Sequence, residues 1–210
     1  MSASLQTVED VVNYALDLIG YDRRIGDIYE GSRPSKVALD LYGQTRDELL
    51  RKNAPGFANR NVALTLQKSA PTGGYGSSAW APSTNPPPPW LYQFAYPIDC
   101  LRLLYLEPTP SVIPVTNPLP LRYKIYNDQV AVPPDRVILA NMSPLIAVYV
   151  GQVTDMTTWD PLFTELMGKA LATKFIIALT KNQQLIDPVM KGSSAMEMMA
   201  EADAAGAEEN

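Results

Sequence analysis

Histidine is absent from the 210 residues, and cysteine occurs once, as Cys100. Without imidazole there is no Ser-His-Asp triad, no Cys-His dyad and no zinc site that needs a histidine ligand. A single cysteine allows no internal disulfide and suits a reducing compartment. No apolar run approaches the roughly 20 residues that span a bilayer, so no membrane span is expected. The opening Met1-Ser-Ala-Ser-Leu-Gln-Thr-Val-Glu-Asp10 has neither the basic start nor the apolar centre of a signal peptide. Positive charge is scarce as well: 17 lysines and arginines face 22 acids, for a formal charge of −5. No basic cluster stands ready to displace counterions from phosphate, which argues against tight DNA binding. Part of the acidity is local to the tail, Glu197 to Asn210.

What is present is periodic. Leu5, Val8, Val12, Ala15, Leu16 and Ile19 recur at helical spacing, with Ser4 or Thr7 to cap the segment and Gly20 to stop it. A second helix is predicted from about Pro34 to Lys52, capped by Ser32 and ended by Pro55-Gly56. Asn61 to Gln67 then alternates like a half-buried strand, and residues 69–89 are so rich in Gly, Ser and Pro that no regular element is expected there. Strands are predicted at Leu91–Tyr96, Leu101–Leu106, Leu121–Tyr126, Val130–Val132, Val137–Asn141 and Leu145–Val153, with a hairpin turn at Asn127-Asp128. A third helix starts at Trp159-Asp-Pro, where Thr158 or Asp160 can cap and Pro161 suits the first turn, and runs to about Asn182. A fourth, kinked or conditionally ordered, is predicted over Gln184 to about Ala205, interrupted by Pro188 and Gly192-Ser-Ser194.

This order predicts an α+β chain: an antiparallel four-helix bundle from residues 1–56 and 154–210, with a small antiparallel β unit, 57–153, inserted between helices 2 and 3. The β unit carries a flexible Gly/Ser/Pro loop at 69–89, and the bundle ends in a C-terminal docking segment.

Chemistry-bearing residues are few. Asp99, Asp155 and Asp160 lie beside aromatics and are the carboxylates available for acid–base work, but a turn role for Asp99 and capping roles for Asp155 and Asp160 account for their positions. Cys100 has no histidine to activate it and reads as a structural thiol. Gly73-Gly-Tyr-Gly76 lacks the lysine of a phosphate loop and reads as a loop tip. Trp90, Tyr92, Phe94 and Tyr96 alternate at period two, as a base-stacking platform does, but also as a core or interface row does. Met190, Met196, Met198 and Met199 give the C-terminal segment an adaptable apolar surface, suited to a partner or to its own bundle.

Five motifs occur in order: Ala15-Leu-Asp-Leu-Ile-Gly20, Tyr42-Gly-Gln-Thr-Arg-Asp-Glu-Leu-Leu-Arg51, Phe57-Ala58-Asn59-Arg60, Tyr96-Pro-Ile-Asp-Cys-Leu-Arg102, and Val153-Thr-Asp-Met-Thr-Thr-Trp-Asp-Pro-Leu-Phe163. Lys169-Ala-Leu-Ala172 and Leu179 to Asn182 follow. In their order and spacing they resemble the head-to-tail adaptor of short-tailed bacteriophages, the tail tubular protein A type, over residues 5–205. Gly56 stands where members often carry tryptophan, and the tract Pro86 to Pro89 looks longer than usual.

The resemblance implies a non-enzymatic virion structural protein, without cofactor or metal, made in the bacterial host cytoplasm and placed at the head–tail junction. It implies a dodecameric ring beneath the portal protein, with phage DNA passing through the lumen without sequence-specific binding. Met190, Met196, Met198 and Met199 would dock on the portal. The β insertion would meet the tail nozzle, fibres or a neighbouring subunit, with Tyr75, Trp80, Pro86, Pro87 and Trp90 as candidate contacts. Two other readings are a carboxylate-dependent glycan hydrolase, using Asp99 with Asp155 or Asp160, and a single-strand nucleic-acid binder built on the aromatic row.

Overall fold

The computed structural model describes residues 6–76, 78–109, 121–131 and 134–180. Helix α1 spans Val8–Leu18 and begins with a reciprocal cap: the Asp10 N–H donates to Thr7 Oγ1 at 3.1 Å, and the Thr7 N–H donates to the Asp10 carboxylate at 3.0 Å. Gly20, at φ +66°, takes the left-handed turn that ends it. Helix α2 spans Arg33–Asn53, capped by Ser32 and closed by a left-handed Ala54. Helix α3 spans Pro161–Phe175, with the Leu162 N–H donating to Asp160 Oδ1 at 2.7 Å, and continues as a π-helical stretch, Ile176–Thr180.

The chain divides into two compact units: residues up to Ala58 together with those from Gln152 onward, and Asn59–Gly151 between them. In the first unit α3 is the shared element, packing on both α1 and α2. Its buried residues, among them Phe163, Met167, Gly168, Leu171 and Phe175, cover most of its circumference. The expected four-helix bundle is therefore corrected. Among the described residues there are three α-helices and two antiparallel sheets, and α3, buried on a broad face, packs on α1 and α2 together. The predicted helix over 184–205 lies outside the described residues.

The second unit contains two antiparallel sheets. Strands β1 (Asn59–Ala63), β7 (Leu145–Gly151) and β4 (Cys100–Pro108) form one sheet in the order β1-β7-β4. Strands β2 (Leu66–Ser69), β3 (Tyr92–Ala95), β6 (Asp135–Ala140) and β5 (Tyr123–Asp128) form the other, in the order β2-β3-β6-β5. Phe94, Ile138 and Ala140 from the second sheet meet Leu103, Leu106 and Leu145 from the first in one core. The single strand expected at 61–67 is in fact two. It passes between sheets at Leu64-Thr65, where the Leu64 N–H donates to Leu145 O and Thr65 O accepts from the Ala95 N–H. Strands β2 and β4 carry register shifts, one in β2 and two in β4. Asn127-Asp128 ends β5 instead of turning, and the turn follows at residues 129–130.

One close approach fixes α1 against α3. A Cβ placed on Gly168 would stand 2.4 Å from Tyr14 Cδ1, so the ring occupies the space that any other residue would need. Gly168→Ala is expected to lower unfolding stability by about 1–3 kcal/mol, the usual cost of overpacking. Urea denaturation of the single variant and of Tyr14→Ala/Gly168→Ala, in which the clash is removed, checks this: the alanine at 168 should cost less in the second background.

Candidate functional site

The turn between β3 and β4 carries the Tyr96-Pro-Ile-Asp-Cys motif, and nearly every residue around its tip is held. The Cys100 N–H donates to Pro97 O at 3.1 Å, closing the turn. Asp99 accepts from the Tyr149 hydroxyl at 2.8 Å and pairs with Arg60 at 3.1 Å. Cys100 Sγ lies 3.2 Å from the Tyr96 hydroxyl, and the Arg136 guanidinium stacks on the Tyr96 ring at 4.2 Å. The Arg60–Asp99 pair is partly exposed, and such pairs contribute only about 0.2–1 kcal/mol. The Tyr149 hydroxyl belongs to a buried residue, and a hydrogen bond to a charged group contributes about 1.5–3 kcal/mol, so it is the stronger brace. Burial, and then the Asp99 carboxylate, push the Tyr149 hydroxyl up to about 12. Gly151 makes room for the assembly, since a Cβ there would lie 2.5 Å from Arg60 Nε. In the middle of this bracing Ile98 is fully exposed, at 106% of its reference area.

The outer face of the second sheet holds a second polar group. Lys68 Nζ donates to Asp128 Oδ2 at 2.5 Å and to Pro82 O at 3.4 Å, and Gln93 Nε2 donates to the same Asp128 oxygen at 2.9 Å. Both members of the ion pair are largely buried, and Gln93 is 1% exposed. Part of the connection between β2 and β3, within residues 80–91, lies against this face. Trp90 packs on Val137 and Leu139, Asn85 Nδ2 donates to Ser69 O at 2.8 Å, and Trp80 Nε1 donates to Pro86 O at 3.2 Å.

Of the residues expected at an interface, Trp90 and Pro86 are therefore buried within the chain's own fold, while Tyr75, Trp80 and Pro87 are half-buried. The hydroxyl of Tyr75 is buried without a partner, and burial raises its pKa. Met190, Met196, Met198 and Met199 lie outside the described residues. The aromatic row divides: Phe94 is in the core between the sheets, with Tyr92 and Tyr96 packed against it, whereas Trp90 joins a separate cluster with Val137 and Leu139. The four rings thus do not present one exposed platform.

The carboxylates are engaged separately. Asp155 caps a 3-10 turn, Met156–Thr158, and the Thr157 hydroxyl and N–H hold it below the usual carboxylate range. Asp160 caps α3. A general acid needs the opposite shift from that of Asp155. Among the described residues no group of three or more Cys, Asp or Glu could hold a metal ion, and no helix is long and apolar enough to cross a membrane. Sequence reasoning missed the Lys68–Asp128–Gln93 group, because its members are 25 to 60 residues apart and none sits in a motif. It also missed the exposure of Ile98, for which an isoleucine inside a Pro-x-Asp turn was the available signal.

The motifs themselves converge. The Tyr42 hydroxyl contacts Met156 Sδ at 3.3 Å, Phe57 meets Phe163 edge-on at 5.2 Å, and Arg60 meets Asp99. Each contact joins residues of two separate motifs. No protein-family model and no curated protein matches this chain.

Asp128 supplies a prediction. Burial raises its pKa, but the hydrogen bonds from Lys68, Gln93 and the Val130 N–H outweigh that and leave it below the ordinary aspartate value of 3.8. A carboxylate depressed in the folded state stabilises above its unfolded pKa, and that contribution is lost as pH falls through the folded value. Asp128→Asn, which leaves the Lys68 charge buried and unpaired, is expected to cost about 3–5 kcal/mol at pH 7, and Lys68→Met/Asp128→Leu much less. In urea titrations from pH 7 downward, the gap between wild type and Asp128→Asn should shrink below pH 3.8.

Proposed function

We propose that this chain is a ring-forming structural adaptor of the kind that joins the portal to the tail nozzle in short-tailed bacteriophages, acting without catalysis. The observation that carries the reading is the convergence of the motif residues. Tyr42 with Met156, Phe57 with Phe163, and Arg60 with Asp99 are contacts between elements, so the residues through which the chain resembles the adaptors act as fasteners. Motifs of an enzyme would instead bring reactive groups together at one accessible point.

Two further features support it. Large apolar side chains stand in solvent on held backbone: Ile98 in the braced turn, Tyr29 at 77% exposure in a loop tied by Asp27 and Glu30, and Ile177 at 68%. Rigid, exposed apolar side chains serve as anchors at protein interfaces. The excess of acid over base also suits a conduit for DNA, because a wall that attracted phosphate would hold the duplex back. In this reading copies of the chain form the ring, the methionines of the C-terminal segment dock on the portal, and the β unit meets the nozzle or a neighbouring subunit.

The experiment is to affinity-tag the chain in cells producing the particle and image what co-purifies. Rings seated beneath a portal are expected; a free monomer with no portal or nozzle protein would overturn the reading. Removal of residues from Gly192 onward is expected to abolish portal docking while α1 to α3 remain folded by circular dichroism. Ile98→Asp, at a position that packs on nothing, is expected to leave the melting temperature unchanged and to weaken nozzle or subunit attachment in the same pull-down.

A further inference from the structure

Three large apolar side chains stand far out in solvent: Ile98 at 106%, Tyr29 at 77% and Ile177 at 68%, with every other one among the described residues at 50% or below. Two of the three sit on tied loops. Ile98 is held by the contacts of Asp99 and Cys100 on either side of it. Tyr29 lies in the loop after α1, and that loop is pinned to the helix. The Ile25 N–H donates to Asn13 Oδ1 at 2.8 Å, Asn13 Nδ2 donates to Ile25 O at 2.9 Å, and the Ile28 N–H donates to Glu9 Oε1 at 3.3 Å. Ile25 and Ile28 are buried, so Tyr29 alone of the loop's large apolar side chains is offered to solvent.

The charge around these two anchors is opposite in sign. Of the chain's 17 lysines and arginines and 22 acids, Asn59–Gly151 holds six and four, which leaves 11 and 18 for the rest. The β unit is thus net positive on a chain that is net negative. Beside Ile98 the Arg60 guanidinium is matched by Asp99, and Arg136, stacked on Tyr96, adds a further cation. Around Tyr29 the balance is reversed. Residues 6–31 hold six acids, offset only by Arg23 and Arg24, which pair with Glu30 at 3.9 Å and Asp17 at 2.6 Å. Asp22 and Asp27 are exposed. Ile177 does not share this setting, because Arg33 donates to the next residue's carbonyl, Ala178 O, at 3.1 Å and places a cation there.

We propose that the Ile98 turn of one copy docks on the Tyr29 loop of a second copy. Opposite charge brings the two faces together and sets their orientation, and the apolar anchors, already held in place, lose little freedom on contact. Each copy carries both faces, and they differ. Such a contact leaves one unused face at each end, so it propagates from copy to copy and closes as a ring where the rotation allows. The inference deepens the adaptor reading, on which it rests, by naming the surfaces through which subunits meet.

The test is sedimentation velocity on the purified full chain over a range of concentrations in low salt. Association is expected, weakening as salt rises from about 0.05 M to about 0.5 M. Ile98→Asp and Tyr29→Asp, both at exposed positions, should each keep the native melting temperature and weaken association by about tenfold or more. Mixed one to one, the two variants should form a dimer and nothing larger, since the intact turn of one meets the intact loop of the other. A wild-type chain that stays monomeric in low salt would overturn the proposal. So would association that persists in either variant, or a mixture that stays monomeric. In the pull-down from particle-producing cells, rings of Ile98→Asp seated beneath a portal would sink this docking and leave the adaptor reading standing. The expected dimer from the mixture, with no portal or nozzle protein co-purifying, would do the reverse.

Discussion

The β unit depends on one carboxylate, Asp99, and on the phenol that donates to it. Strand β7 pairs with both β1 and β4, and Tyr149 in its middle reaches out of the core to Asp99 at the start of β4, where Arg60 from β1 arrives as well. All three strands of the first sheet are thereby joined at one end by side chains in addition to their backbone ladders. The arrangement needs Gly151, because a side chain there would displace Arg60. The Pro97-Ile98-Asp99 turn is in this sense a consequence of the sheet beneath it: its shape is set by Tyr149 and Arg60, and Ile98 projects because its neighbours are held.

The second sheet solves a different problem. Its inner face packs against the first sheet, which leaves an outer face that would expose Val137 and Leu139 were Trp90 not packed on them. The long Gly/Ser/Pro segment covers that face, and the Lys68–Asp128 pair with Gln93 makes the contact polar and directional. A Lys-Asp pair in such a place is a weak source of net stability but a costly one to break. It therefore favours one seating of the segment over others more than it adds free energy.

Much of the helical unit was legible from sequence because local signals and tertiary demand agree there. Thr7, Ser32 and Asp160 cap where a cap was expected, and Pro161 opens α3. The fourth helix was inferred from composition and from the habit of paired helices, neither of which reveals that one helix, α3, packs on both α1 and α2. In the β unit the local signals mislead. Leu64-Thr65 continues the alternation of β1, so nothing in the spacing marks the passage from one sheet to the other. Asn127-Asp128 has turn chemistry, yet Asp128 is taken by Lys68, 60 residues away, and stays in the strand. The aromatic row has a regular period, but Trp90 precedes β3 and falls into a different cluster from Phe94. In each case a long-range partner overrode a short-range preference, and a single sequence does not display such partners.

The irregular strands at the sheet borders have a consequence of their own. Among the described residues β2 and β4 are interrupted by register shifts, β1 is five residues long and wholly exposed, and β5 carries Lys124 on its length. Bulged, short and charged borders resist the addition of a further strand. Copies of this chain crowded together in a cell would thus be kept from fusing into continuous cross-strand aggregates, and an ordered assembly would have to form through side-chain surfaces. Such contacts can be sorted by shape and charge, and undone without unravelling a backbone ladder.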